Sequence, residues 1–490
     1  MQWQINKNRR ISDIGLSIVV LILALLSGFM VSKNLFMIIA LCVLFAATVL
    51  LFTGLISIWM LSLIFIGVGI SLGRFYIVFG PNPLNSARIQ QAGLIALAFL
   101  AIYFNLSHLR SGTMRSLAIP KFTAFGIIAY LLIHVVGAMI HWGDVPDWGN
   151  FRPQIEVIFF APFTFLIAFL LFKKDEHAIQ FLWTCLIIGA FQAGLAFVQI
   201  LFPGNFFVLT QKISPTEALS LNYFLTYNRV NGIWEHAPAL GALMAMIIPT
   251  GVYLVGNSQG FKKGLAVVGL SAILITLLAT AAIMPITVGL FFGFLLVILK
   301  SRVSIFQKIA SLLGILLVLV TAVFALSFIF DVSLKEMPFI DRLFRSNQGV
   351  FGANGSLYSR MIMYREAIRL WQNNPLWGVG VGQFRTVQRS IYDLTAHSVY
   401  LQALAETGTI GTTGLLILII SLSQMNIQAW HKMNASERNL YIPIILLSFI
   451  LLTVSIVDYS FNVWNFQLLF WFSQGIIARK YKSLQTIQNN

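Results

Sequence analysis

Long apolar runs broken by short polar stretches recur along the whole chain. Runs near the ~20 residues a bilayer-crossing helix needs begin at Ile14, Leu35, Leu55, Gly93, Phe122, Ile155, Ile179, Ala237, Leu265, Ile309, Ser398 and Leu440. Shorter ones begin near Ile286 and Trp464. Backbone groups in lipid have no water to bond, so each run is predicted to be a helix that satisfies its own carbonyls and N–H groups. The expected fold is all-α, a polytopic transmembrane bundle of about 12 to 14 helices. The pattern divides the chain into transmembrane helices over 1–330, including an outward loop at 202–236, a large and partly helical outward loop at 331–397, and further transmembrane helices over 398–490. The first run, Ile14 to Val31, has no small-residue cleavage site after it and is expected to be a retained helix.

Composition agrees with this pattern. Of 490 residues, 58% are hydrophobic and 10% charged, with a mean hydropathy of +0.85, which leaves too little polar surface for a soluble core. The net charge of +16 would suggest nucleic acid in a soluble chain. Here Lys and Arg gather instead in one set of alternate short loops, among them Lys7, Arg9 and Arg10, Lys173 and Lys174, Lys262 and Lys263, Lys432 and Arg438, and Arg479, Lys480 and Lys482. By the positive-inside rule these loops and both termini are expected in the cytoplasm, with 202–236 and 331–397 outside. No nucleic acid partner is expected, and membrane lipids are. Only Cys42 and Cys185 occur, both within apolar runs, so no disulfide framework or cysteine metal site is expected.

Candidate chemistry collects in one stretch, where the outward loop enters the helix that begins at Ser398. Leu357, Met361, Tyr364, Ile368 and Trp371 recur at helical spacing as one apolar stripe, with Arg365, Arg369 and Gln372 beside it. Gly378, Gly380 and Gly382 then predict a flexible turn after Pro375, whose N–H groups could approach an anion. His397 opens the next helix at the interface, where a neutral imidazole can accept a proton near pH 7. A lone interfacial histidine is as readily a helix-end contact. Glu406 lies nine residues on, about 13 Å along an ideal helix, so it is expected to be a buried carboxyl bonded to neighbouring helices rather than a dyad partner. In the other outward loop, Arg229 stands in NRVNGIWEHAPALGALM, followed by Glu235 and His236. A guanidinium there suits either phosphate oxygens or anionic headgroups.

These residues carry a resemblance. AHSVYLQALAETGTIG, preceded by NNPLWGVGVGQF and by Ser359 and Arg360, is similar to the signature of the O-antigen ligase and polysaccharide polymerase family of membrane glycosyltransferases, and NRVNGIWEHAP is similar to its upstream arginine motif. The resemblance implies a GT-C-like enzyme of the bacterial inner membrane that moves glycan from an undecaprenyl-diphosphate-linked donor to a glycan or lipid acceptor, with no cofactor or metal. It implies His397 as the catalytic base and Arg229 as a contact of the donor diphosphate, with Glu406, Glu235 and His236 in supporting positions. Chain-length regulators and a flippase for the same lipid-linked sugars are the partner proteins implied. Two departures stand out. Ser398 replaces the family's usual asparagine, and the turn predicted at Ala279 to Gly289 lacks the second arginine that ligases of the family carry. Arg342, Arg345 or Arg360 is then expected to supply that charge, and the departure favours a polymerase over a ligase. A transporter of lipid-linked sugars is the alternative from another class, but such proteins place charges and broken helices at the membrane midplane in repeated halves. Neither feature is evident here.

Overall fold

The computed structural model describes residues 57–72, 76–77, 84–110, 119–143, 145–202, 229–234, 236–299, 356–388 and 395–488, with isolated positions between 304 and 313. The expectations placed on the runs from Ile14 and Leu35, on most of the run from Ile309, and on Cys42, Glu235, Arg342 and Arg345 lie outside the described residues. Within them the chain is helical apart from one two-residue antiparallel pair, Tyr76–Ile77 against Leu84–Asn85.

The helices follow the apolar runs. They are α1 (Ile58–Leu72), α2 (Ser86–Arg110), α3 (Lys121–Ile140), α4 (Trp148–Phe160), α5 (Phe163–Leu171), α6 (Asp175–Leu201), α7 (Ala237–Asn257), α8 (Gly260–Ala279) and α9 (Ile283–Leu299). After them come α10 (Ser356–Asn373), the short α11 (Phe384–Val387), α12 (Val399–Lys432), α13 (Ala435–Val454) and α14 (Trp464–Gln488). Among the described residues seven helical spans, with α4 and α5 counted together, are long and apolar enough to cross a membrane, and three apolar helices are shorter. The single run expected from Ile155 is interrupted at Ala161–Pro162, because proline has no N–H to continue the ladder.

Helix α7 is the most enclosed span and packs on α6, α8, α9 and α13. Small residues allow this: a Cβ on Gly289 of α9 would lie 2.9 Å from the Ala245 Cβ, so the two backbones are in near contact. Helix α12 packs along α3, and α14 lies against α5 with Phe466, Phe470, Trp471 and Phe472 fully buried.

One end of the bundle is closed by a charged clasp. Lys480 of α14, 8% exposed, bonds Asp175 of α6 at 3.0 Å and Glu437 of α13 at 2.8 Å, while Tyr441 donates its hydroxyl to Asp175 at 2.6 Å. A buried ammonium persists only when paired in this way. The basic loops at 173–174, 262–263 and 432–438 share this end, and His397, at the far end of α12, lies at the other.

Candidate functional site

The site end is built around a break in α12. Gly408 has φ +65° and ψ −166°, far from helical values. In an unbroken helix Thr409 and Ile410 would donate to the carbonyls of Ala405 and Glu406. Here Thr409 N donates to Pro375 O at 2.8 Å and Ile410 N to Leu376 O at 3.2 Å, while the freed carbonyls of Ala405 and Glu406 accept from Val379 N at 3.0 Å and Gly380 N at 2.9 Å. The segment after α10 therefore inserts into the break and replaces two helical bonds with four. A buried backbone tolerates a break only when its polar groups are satisfied this way.

The glycine turn departs from its expected role. Gly378, Gly380 and Gly382 all have positive φ, but their N–H groups are already used: Gly378 N donates to Asn374 O, Gly380 N to Glu406 O, and Gly382 N to Glu406 Oε2. The anion this turn holds is the chain's own carboxylate, so it is a bonded turn rather than a flexible one open to a ligand. Glu406, 4% exposed, also accepts from Phe384 N at 3.1 Å and Gln402 Nε2 at 2.8 Å. It is buried, as expected, and it holds both the turn and the first residue of the short helix α11. Gln383 of the same turn exchanges two hydrogen bonds with the Asp147 backbone, which ties the turn to the α3–α4 connection.

Helix α10 forms over the predicted stripe, and the face it buries lies beside that stripe. Met363, Ala367 and Leu370 are the buried face against α12, whereas Met361 and Ile368 are exposed at 47% and 40%. The buried side chains pack in one cluster with Phe384, Ala396 and Ala405. Trp371 sits at the margin and donates its indole N–H to Thr409 Oγ1.

His397 stands one residue before the N-cap of α12 and has φ +49°, a conformation uncommon for a non-glycine residue. Ser398 caps the helix by accepting from Leu401 N, a role serine and asparagine fill comparably, which accounts for the serine at this position. The His397 imidazole is pushed down to about 4, first by burial and then by the Arg360 guanidinium, with Asp458 raising it and His236 lowering it. Three segments distant in sequence thus bring a charge within electrostatic range of His397: α10 with Arg360, the 229–236 segment with His236, and the α13–α14 connection with Asp458. Tyr364, one turn after Arg360, feels the same groups: burial raises its hydroxyl, Arg360 lowers it and Asp458 raises it.

Asp458 escaped sequence reasoning. It is 3% exposed and accepts from the Ser460 hydroxyl at 2.7 Å. The connection that holds it is pinned to α12 by Val399 N donating to Ser455 O at 3.0 Å and by Tyr400 OH donating to Leu452 O at 3.0 Å. A charged residue in an otherwise apolar run, VSIVDYSF, was the available signal.

Arg229 is buried at 6% exposure, and its Nε donates to Thr280 O at 2.9 Å, next to the bond from Val230 N to Ala279 O. The tight turn there is Thr280–Ala282, because Ile283 already begins α9. The turn that lacks a basic residue in sequence thus receives a guanidinium from a remote segment. His236, at the other end of that segment, caps α7 by accepting from Ala239 N on Nδ1, which leaves its proton on Nε2 when neutral.

Residues 264–416 match the family model described as O-antigen ligase, a span that takes in most of α8 through the broken part of α12, with Arg360, His397 and Glu406. Arg229, His236 and Asp458 lie outside the matched span. No curated protein matches the chain. With its apolar spans the chain is a multi-pass membrane protein, and its 264–416 region is similar to the O-antigen ligase family.

Proposed function

We propose that the protein transfers glycan from an undecaprenyl-diphosphate-linked donor to a sugar hydroxyl of an acceptor, without metal, on the outer face of the bacterial inner membrane, and that it acts as a polymerase of surface polysaccharide. The observation that carries this reading is the meeting of a neutral imidazole, His397, with a cation, Arg360, and a carboxylate, Asp458, at one end of the bundle. The clasp end carries the basic loops, so the positive-inside rule puts that end in the cytoplasm and His397 outside, where no nucleotide is available.

In this mechanism the acceptor hydroxyl gives its proton to His397 as its oxygen bonds the anomeric carbon. The bond from that carbon to the diphosphate breaks, and undecaprenyl diphosphate leaves with the electron pair. Arg360 faces the growing charge on the diphosphate, and Asp458 stabilises the imidazolium that forms. The arriving diphosphate also offsets the Arg360 charge that holds the imidazole down, so donor binding strengthens the base. Arg229 braces the Thr280–Ala282 turn through Nε and is assigned, as the second cation of the site, to the donor diphosphate.

Purified protein in vesicles, supplied with lipid-diphosphate oligosaccharide alone, is expected to lengthen the glycan. A requirement for a second acceptor, lipid A core or another, would make it a ligase, and the absence of any transfer under both conditions would overturn the reading. In the same assay Arg360→Ala is expected to weaken donor binding about 10- to 100-fold, as loss of a charge-assisted bond does. Arg365→Ala, on an exposed part of α10, is the control expected to leave donor binding unchanged. Equal donor affinity in wild type and Arg360→Ala would remove Arg360 from the site.

A further inference from the structure

We propose that Gln402 is a positioning residue for His397: its side-chain amide links the backbone ahead of the imidazole to the carboxylate that holds the glycine turn. The proposal rests on the reading of His397 as the base. The amide faces two ways, with Oε1 accepting from Ala396 N at 3.1 Å and Nε2 donating to Glu406 Oε1 at 2.8 Å. Ala396 immediately precedes His397 and is 0% exposed, so without Gln402 its N–H would be buried with no acceptor. His397 itself holds a left-handed backbone that only surrounding contacts maintain.

From Glu406 the network continues to Gly382 N and Phe384 N. The loop before α12, the first turns of α12 and the turn inserted at its break are thus one hydrogen-bonded unit. The position calls for an acceptor toward an amide N–H and a donor toward a carboxylate on one planar group. A glutamine meets both demands, a leucine meets neither, and a glutamate meets both only while it carries a proton. The consequence for transfer is orientation. A base held by bonds to its own backbone stays aimed at the acceptor hydroxyl, and a small displacement of such a group is costly to turnover.

The test compares wild type, Gln402→Leu, Gln402→Glu and His397→Ala in reconstituted vesicles, with kcat and donor KM taken per folded molecule over a range of pH. Gln402→Leu is expected to lose about tenfold or more in kcat while donor KM stays within about twofold. In Gln402→Glu the new carboxyl lies against Glu406, and the repulsion between two carboxylates makes the pair hold one proton until the pH is well above the usual carboxyl range. Its kcat relative to wild type is expected to be near recovery at the acid end and to fall as pH rises and that proton leaves. If Gln402→Leu fails to fold, the pH profile of Gln402→Glu decides by itself. Wild-type kcat in Gln402→Leu, a loss confined to KM or to the folded fraction, or no recovery of Gln402→Glu at any pH would overturn the proposal. Full turnover in His397→Ala would bring down the base and the proposal together. Full turnover in Gln402→Leu beside an inactive His397→Ala would remove only the positioning role.

Discussion

Replacing His397 by alanine is expected to lower glycan transfer by about 10²- to 10⁴-fold, the range that loss of a general base produces. Alanine at φ +49° carries the same backbone strain, so His397→Asn is the better-controlled partner, since asparagine accepts the left-handed conformation and cannot take a proton near neutral pH. Both variants should bind donor nearly as wild type does, because the cations assigned to the diphosphate are Arg360 and Arg229. Either variant at wild-type turnover would end the assignment of His397.

The same imidazole sets a pH dependence. With its folded value pushed down to about 4, His397 stays neutral at pH 7 and keeps its function well below the usual histidine range. In kcat/KM, which reports the free enzyme, the acid limb is expected near 4, and in kcat it is expected higher, because bound diphosphate raises the imidazole. The sign for stability follows from proton counting. Between about 6.5, the unperturbed value, and about 4 the unfolded chain binds the proton and the folded chain does not. This contribution is therefore complete above the upper value and is lost as pH falls through the window. An unfolding midpoint that does not drop across this interval in wild type relative to His397→Asn would contradict the buried, neutral imidazole.

Gly408→Ala is expected to have the largest effect on stability, about 3 kcal/mol or more from backbone strain and steric conflict together. Its φ of +65° with ψ −166° is a region essentially reserved for glycine, and an added Cβ would lie 2.3 Å from Leu376 O and 2.6 Å from Trp377 N. Both are backbone atoms of the inserted segment and cannot rotate away. The segment would have to leave the break, exposing the four bonds that join it to α12 and loosening Glu406 and the network ahead of His397. Gly194→Ala, where nothing lies within 4 Å of the new Cβ, is the matched control. Thermal unfolding in detergent should separate the two, and an unchanged midpoint for Gly408→Ala would mean that the break is not held as described.

How much of this was legible beforehand varies with the range of the forces involved. The apolar runs at Phe122, Ile179, Ala237, Leu265, Ser398 and Leu440 each became a spanning helix beginning within a few residues of the expected point. Hydrocarbon compatibility is a local property of composition and length, so a one-dimensional reading suffices for it. That Met363, Ala367 and Leu370 are the buried face of α10 was not legible, because it depends on how that helix packs on α12. The glycine turn looked open to an outside anion because nothing nearby in sequence shows that Glu406, more than twenty residues on, supplies one from within.

By itself the sequence determined that the chain spans a membrane many times, which loops carry the positive charge, and which stretch gathers the ionisable side chains. These follow from hydropathy, charge count and residue chemistry, which neighbours along the chain express. The tertiary structure alone decided that Arg360, His236 and Asp458 are the ionisable companions of His397, that Arg229 reaches the turn at Thr280, and that Gln402 joins two backbone segments. Each of these is set by hydrogen bonds and charges between residues distant in sequence, whose geometry exists only after the helices have packed.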